Sequence, residues 1–388
     1  MRRLLSSCLL SAALVVALPA WSADYVPPRH QWAHVAPQQA GFDAGKLAAA
    51  VEYARSKAEV TPTDMRQVLL DAYTPREPGY RILGPVIPRD QPSGLVVRGG
   101  RIVTQWGDID RLDMTFSVAK SYLATVAGLA VDDGLIASVD ERVSDYVPGP
   151  WYEGAHNGAI TWTHLLQQTS DWSGTLWDVA DWADRPEGDH PSQRPLHAPG
   201  TRYKYNDVRV NLLAFSLMQV LRKPLPAVLK ERVMDPIGAS TTWRWHGYDN
   251  SWTTLDGLSL QSVSGGGHFG GGMFISAADH ARFGLLMLRD GQWGGKRLLS
   301  KDWIARATRP SPMKDDYGYL WWLNTGRKAI PAAPESAFWA AGFGGHYVYI
   351  DRENDLVVVI RWTQDLPGVI TRVLEALPAS QRGAKKAA

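Results

Sequence analysis

The stretch Phe116-Ser-Val-Ala-Lys-Ser-Tyr-Leu-Ala-Thr-Val-Ala-Gly-Leu-Ala-Val-Asp-Asp-Gly134 decides the reading of this 388-residue chain. From Ser117 to Val131 it holds good helix formers and no proline, with a stop at Gly134. Apolar side chains fall on every face, which predicts a helix buried all round. Lys120 is its only charged residue before Asp132. A lysine in such a helix loses the hydration of its ammonium, so a depressed pKa and a role as base are expected. Ser117 stands one turn earlier on the same face, within reach of the amine. It also opens the helix, where free N–H groups and the positive dipole end favour an oxyanion.

The Ser-x-x-Lys spacing alone is weak, since a chain of this composition contains roughly one such match by chance. A second occurs at Ser311-Pro-Met-Lys314, among Arg309, Pro310, Pro312, Asp315 and Asp316. That polar, proline-broken setting predicts a surface loop rather than a helix N-terminus.

Outward from the serine helix, Leu95-Val-Val and Arg101 to Trp106 flank Gly99-Gly100 as a tight hairpin, and Tyr347 to Ile350 with Leu356 to Trp362 form a second. Gly45 to Lys57, Val208 to Leu221, Asp279 to Leu288 and Val369 to Leu377 have helical spacing. Strands near both ends around a helical middle predict an α/β (α+β) unit: one antiparallel sheet flanked by helices, with an inserted all-helical domain. The divisions are a signal peptide at 1–23, a single catalytic unit at 24–380 and a flexible tail at 381–388. Within the unit the sheet part runs about 40–116 and 270–378, and the helical part about 117–269.

Arg2 and Arg3, the apolar run Leu9 to Leu18 and the small residues around Ala20 to Ala23 read as an export signal cut near those residues, giving a periplasmic or secreted protein with no stable membrane span. The only cysteine, Cys8, lies in that signal, so the mature chain has neither a disulfide nor a cysteine nucleophile. Removing Arg2 and Arg3 takes the basic count from 41 to 39, against 39 acidic residues. That neutrality excludes an electrostatic nucleic-acid binder. The histidines lack metal-ligand spacing, so no metal is expected. The absence of Gly-x-Ser-x-Gly disfavours an α/β-hydrolase elbow.

The ordered landmarks Phe116-Ser-Val-Ala-Lys120, His164-Leu-Leu-Gln-Gln-Thr-Ser170, Pro199-Gly-Thr-Arg-Tyr-Lys-Tyr205, Gly270-Gly-Gly-Met and Gly342-Phe-Gly-Gly-His346 resemble the class C β-lactamase-like serine hydrolases. That penicillin-recognising-fold group includes family VIII esterases and 6-aminohexanoate-oligomer hydrolases. The resemblance implies cleavage of a small ester or amide through a Ser117 acyl-enzyme, without a cofactor. Lys120 is then the base, Tyr205 the proton donor to the leaving group, and the N–H groups of Ser117 and His346 the oxyanion donors. In the family's Tyr-x-Asn motif the asparagine is replaced here by Asp207, which can accept a bond from Lys120 but, ionised, holds that lysine protonated. The third motif aligns on Phe343-Gly344-Gly345. No cation stands at its first position, which argues against β-lactam hydrolysis, and Gly344 and Gly345 let substrate lie close to the strand. His268 and Trp177 are further candidates for substrate contact.

Rival enzymatic readings are a D-aminopeptidase or DD-peptidase and a weak β-lactamase. A rival of another class is a penicillin-binding sensor that acylates without turnover.

Overall fold

The computed structural model describes residues 25–382; the expected export signal with Cys8, and residues 383–388 of the expected tail, lie outside the described residues. Gly99 and Gly100, at φ 58° and 73°, make the left-handed turn that a two-residue hairpin needs between Ser93–Arg98 and Arg101–Trp106. The first of these strands pairs antiparallel with Leu356–Arg361, Leu95 opposite Val359. The sheet continues through His346–Asp351 and Phe338–Gly342 to the short edge strand Trp322–Leu323, giving six strands in all.

Side-chain alternation sends the two faces of this sheet into two cores. Leu95, Val97, Val357 and Val359 join the larger core with helix Ala277–Leu288 and the serine helix. Val96, Val358 and Ile360 join the smaller one, covered by the terminal helices Ala44–Ser56 and Leu366–Glu375. Burial on both faces explains why these strands read as unbroken apolar runs, each such side chain contributing about 1.5–3 kcal/mol.

The serine stretch forms a 3-10 turn at Phe116–Val118 and then helix Ala119–Asp132, and every residue from Ala119 to Ala130 is buried. Gly134, at φ 71°, follows its end. Two expectations need correction. The region expected to be helical contains a long hairpin, Arg244–Leu255 with Leu258–Val263. It joins Gly272–Ile275 and Asp113–Met114 in a second, four-stranded sheet, so the unit has two main sheets rather than one. Leu258 and Leu260 alternate with polar residues, but Val263 falls out of phase, and the glycine, asparagine and aspartate around them weaken the strand pattern.

Candidate active site

Phe116 has φ 48°, an uncommon left-handed value for a large side chain, and it is held there by aromatic contacts with Phe343, His346 and Trp362. The twist turns the chain from strand Asp113–Met114 into the serine helix, with Phe116 in the core and Ser117 half-buried. Lys120, 1% exposed, donates from Nζ to Ser117 Oγ at 2.9 Å and to Asp207 Oδ1 at 2.7 Å. Gly266 packs directly over this pair. A Cβ there would lie 1.8 Å from Asp207 Oδ1 and 2.1 Å from Lys120 Nζ.

Asp207 opens helix Asp207–Leu221, and Asn206 caps that helix by accepting from the Arg209 N–H at 3.0 Å. The Asp207 carboxylate is fully inside and also receives Arg185 NH1 at 3.1 Å. Arg185 in turn pairs with Asp184, whose other oxygen accepts the Asp207 backbone N–H. Arg185 NH2 lies 3.4 Å from His268 Nδ1, and His268 Nε2 lies 2.7 Å from Glu77 Oε2. A guanidinium can only donate, so His268 Nδ1 accepts and its Nε2 hydrogen goes to Glu77. A polar chain thus runs from Ser117 through Lys120, Asp207, Arg185 and His268 to Glu77, buried throughout except at Ser117 and Arg185.

The electrostatics overturn the expected depression of the Lys120 pKa. Burial by itself lowers it, but the Asp207 carboxylate at 2.7 Å more than offsets that loss, and the ammonium is held above its ordinary value. Burial likewise raises the Asp207 carboxyl, while Lys120, Arg185 and His268 outweigh it and hold the carboxylate well below its usual range. The aspartate in the asparagine position therefore acts as the sequence reading anticipated for an ionised group.

Tyr205 lies on the extended segment 202–206. Gln168 clamps this segment: its carbonyl takes the Lys204 N–H at 2.9 Å and its side chain takes the Asn206 N–H at 2.7 Å. The His164 to Ser170 landmark thereby holds the tyrosine in place. Lys120 Nζ and Arg185 Cζ lie 4.7 and 5.0 Å from the centre of the Tyr205 ring.

Other site expectations change. Gly342 faces His346 as the last pair before a three-residue turn. His346 thus begins the returning strand His346–Asp351, across the turn from Gly342. The His346 side chain is also inside: Arg361 Nε donates to its Nδ1 at 2.8 Å, and burial, then Arg361, keeps its pKa well below the usual value. Gly344 and Gly345 are buried against Trp362 and the backbone of Thr363, so they do not border a substrate. The glycine at the serine is Gly342, where a Cβ would lie 2.4 Å from Thr115 O and 3.3 Å from Val118 N.

His268, 4% exposed, supports Arg185 rather than touching substrate. Trp177 packs edge-on to Tyr248 and its carbonyl binds Asn250, while Tyr317 and Trp322 supply the ring contacts of Tyr205. Arg185, Asp184, Glu77 and Gly266 carry no sequence signal of their own. The glycine run 265–267 is the one signal that could have marked a close approach. Glu77, Asp184 and His268 have carboxylate and imidazole atoms within 4.8 Å of one another, but Arg185 pairs with Asp184 and His268 in their midst, an arrangement suited to a guanidinium rather than a metal ion.

Residues 93–379 match the family model described as Beta-lactamase, and the chain belongs to that family of serine hydrolases. It is similar to the 6-aminohexanoate-dimer hydrolase of Paenarthrobacter ureafaciens, 23% identical over 302 residues that cover 68% of this chain and 70% of that one. A Salmonella typhi protein named provisionally as a D-alanyl-D-alanine carboxypeptidase is 24% identical over 207 residues, 42% of this chain and 46% of that protein. The solved structure of a family VIII carboxylesterase shares the fold, with TM-score 0.55 and 21% identity over 81% of this chain and 96% of that one. Among the described residues no single helix is long and apolar enough to cross a membrane.

Proposed function

We propose that the protein is an exported serine hydrolase, periplasmic or secreted, that cleaves a small ester or amide through a Ser117 acyl-enzyme. The observation that carries this reading is the 2.9 Å contact between Ser117 Oγ and a fully buried Lys120 Nζ. Similarity to a 6-aminohexanoate-dimer hydrolase and the fold shared with a carboxylesterase support the substrate class. The export step rests on the N-terminal sequence.

Ser117 Oγ attacks the carbonyl and its proton passes to Lys120. Because Asp207 holds Lys120 protonated at rest, the amine first sheds a proton, and the active form grows in toward alkaline pH. Tyr205, beside Lys120, hands a proton to the leaving group, and water then releases the acyl group by the reverse route. The oxyanion is received by the Ser117 N–H, at the open start of the helix, and by a strand amide. We assign that second amide to Phe343 in place of His346. It follows Gly342, the residue pressed against Thr115 and Val118, and it falls where the neighbouring strand, paired only at Trp339 and Phe338, no longer covers the edge.

The test is intact-mass analysis of wild type and Ser117→Ala after exposure to a fluorophosphonate, p-nitrophenyl butyrate and a penicillin. A Ser117-dependent phosphonyl adduct with ester turnover is expected. Labelling that persists in the alanine variant would refute the nucleophile. A lasting penicilloyl adduct without ester turnover would favour the sensor reading instead.

A further inference from the structure

An open cavity of about 660 Å³ is lined by residues 201–203 and 312–315. It does not reach Ser117. It begins one tyrosine beyond Tyr205, because Tyr203 and Tyr205 stand two residues apart on an extended segment, roughly 7 Å, with their side chains on one side. Both rings meet Tyr317, at 5.4 and 6.4 Å, and Tyr205 lies near-parallel to Trp322 at 6.3 Å. The two tyrosines, both part-exposed, are thus backed by the buried Tyr317, which ties the proton donor to the cavity.

Beside these rings lies Lys314, the lysine of the second Ser-x-x-Lys match. The loop expected from sequence is there, but it buries Ser311 and folds back through the Met313 N–H to Ser311 Oγ at 3.3 Å. That turn sets Lys314 Nζ 5.3 Å from the centre of the Tyr203 ring and 5.5 Å from that of Trp322. The Lys314 side chain stays 28% exposed. Arg202 supplies a second cation at the rim. Asp315, the acid lining the cavity, is taken by Lys328 at 2.6 Å. Arg202 is answered by Glu187 at 2.9 Å in an exposed pair of small worth, and Lys314 by Asp316 at 2.6 Å, a pair that a ligand carboxylate has to join or displace.

We propose that this cavity is the leaving-group subsite and that it selects an aryl leaving group bearing an acidic substituent. The inference rests on the acyl-enzyme reading above: the group that Tyr205 protonates departs on the Tyr205 side. In the step, the Ser117 Oγ–acyl bond forms, the acyl–O(aryl) bond breaks, and the proton lost by Ser117 is matched by the one that Tyr205 gives to the departing aryl oxygen. Offset stacking on Tyr203 and Trp322 accounts for the preference for a flat ring, and Lys314 for the acidic substituent.

The experiment compares kcat/KM for phenyl acetate, 4-carboxyphenyl acetate and 4-(trimethylammonio)phenyl acetate in wild type, Lys314→Met and Lys314→Glu. Taking each variant-to-wild-type ratio cancels the intrinsic reactivity of the esters. Lys314→Met is expected to lower the carboxyphenyl-to-phenyl ratio about 5-fold, chiefly through KM. Lys314→Glu should shift preference to the trimethylammonium ester. Tyr203→Leu should weaken all three aryl esters relative to ethyl acetate. Fluorophosphonate labelling of wild-type Ser117 with an unchanged carboxyphenyl-to-phenyl ratio in both Lys314 variants would overturn this inference alone. Failure of Ser117 to label would overturn the acyl-enzyme reading and the inference with it.

Discussion

Replacing Asp207 by asparagine tests the proton logic of the site most directly. The variant removes a charge 2.7 Å from Lys120 Nζ while keeping an oxygen that can accept the same hydrogen bond. A pair of unit charges at that distance interacts by about 6 kcal/mol at an effective dielectric of about 20, an upper bound. Arg185, 3.1 Å from the same carboxylate, already neutralises part of it. Once the aspartate is gone, the repulsion between Arg185 and Lys120 is no longer offset by Asp207. A fall of about two pH units for Lys120 is therefore expected, within the range of roughly one to three units seen for close opposite charges.

The sign follows from the role of the amine. If neutral Lys120 accepts the Ser117 proton, the acid limb of kcat/KM moves to lower pH by the same amount. A weaker base transfers protons less effectively, with roughly half the pKa change appearing as lost rate. Below both limbs the variant then gains about 10-fold, and on the alkaline plateau it loses about 10-fold, so the two profiles cross. The assay is a pH series of kcat/KM with p-nitrophenyl butyrate, with thermal unfolding at each pH to confirm the fold. A limb that stays in place, or moves to higher pH, would refute Lys120 as the group whose ionisation limits the reaction.

The remaining predictions concern close approaches. Gly266→Ala forces a methyl group into the Lys120–Asp207 pair and should cut kcat at least about 100-fold, with a measurable loss of stability from disturbing that buried pair, checked by steady-state kinetics beside calorimetry. Gly342→Ala pushes the strand end away from Thr115 and Val118. It should lower kcat by about 100- to 1000-fold with little change in KM, the signature of a lost oxyanion donor; a change confined to KM would speak against the Phe343 assignment.

The parts of this fold that the sequence announces are those where one residue type has one physical use. Gly99-Gly100 admits a hairpin and little else, and the all-round apolar serine helix has nowhere to sit but the core. Ser117 and Lys120 are legible for the same reason, because a lone lysine inside such a helix demands partners. The partners themselves are not legible. Arg185 comes from a loop, and its position depends on Asp184 and Glu77, the latter 108 residues away along the chain and held only by the fold. The proposed move of the second oxyanion amide from His346 to Phe343 has a similar cause. Gly342, Gly344 and Gly345 look alike in sequence, and only strand register decides which of them meets the serine and which are buried beneath Trp362 and Thr363.

The Arg185 network also explains how an aspartate is tolerated where the family uses asparagine. A buried carboxylate beside one lysine would fix that lysine as an ammonium, since separating two opposite charges in a buried site costs several kcal/mol. Arg185 shares the carboxylate, and Asp184 and the imidazole of His268 in turn hold the guanidinium in place. Asp207 thereby divides its charge between two cations, and Lys120 is left less tightly bound than the 2.7 Å distance alone implies. Arg185→Met should then leave Asp207 wholly to Lys120 and move the acid limb of kcat/KM to higher pH, opposite to Asp207→Asn. The two substitutions bracket the wild-type profile from either side, so an arginine variant whose limb stayed in place or moved downward would refute this division of charge and mean that the aspartate is tolerated for another reason.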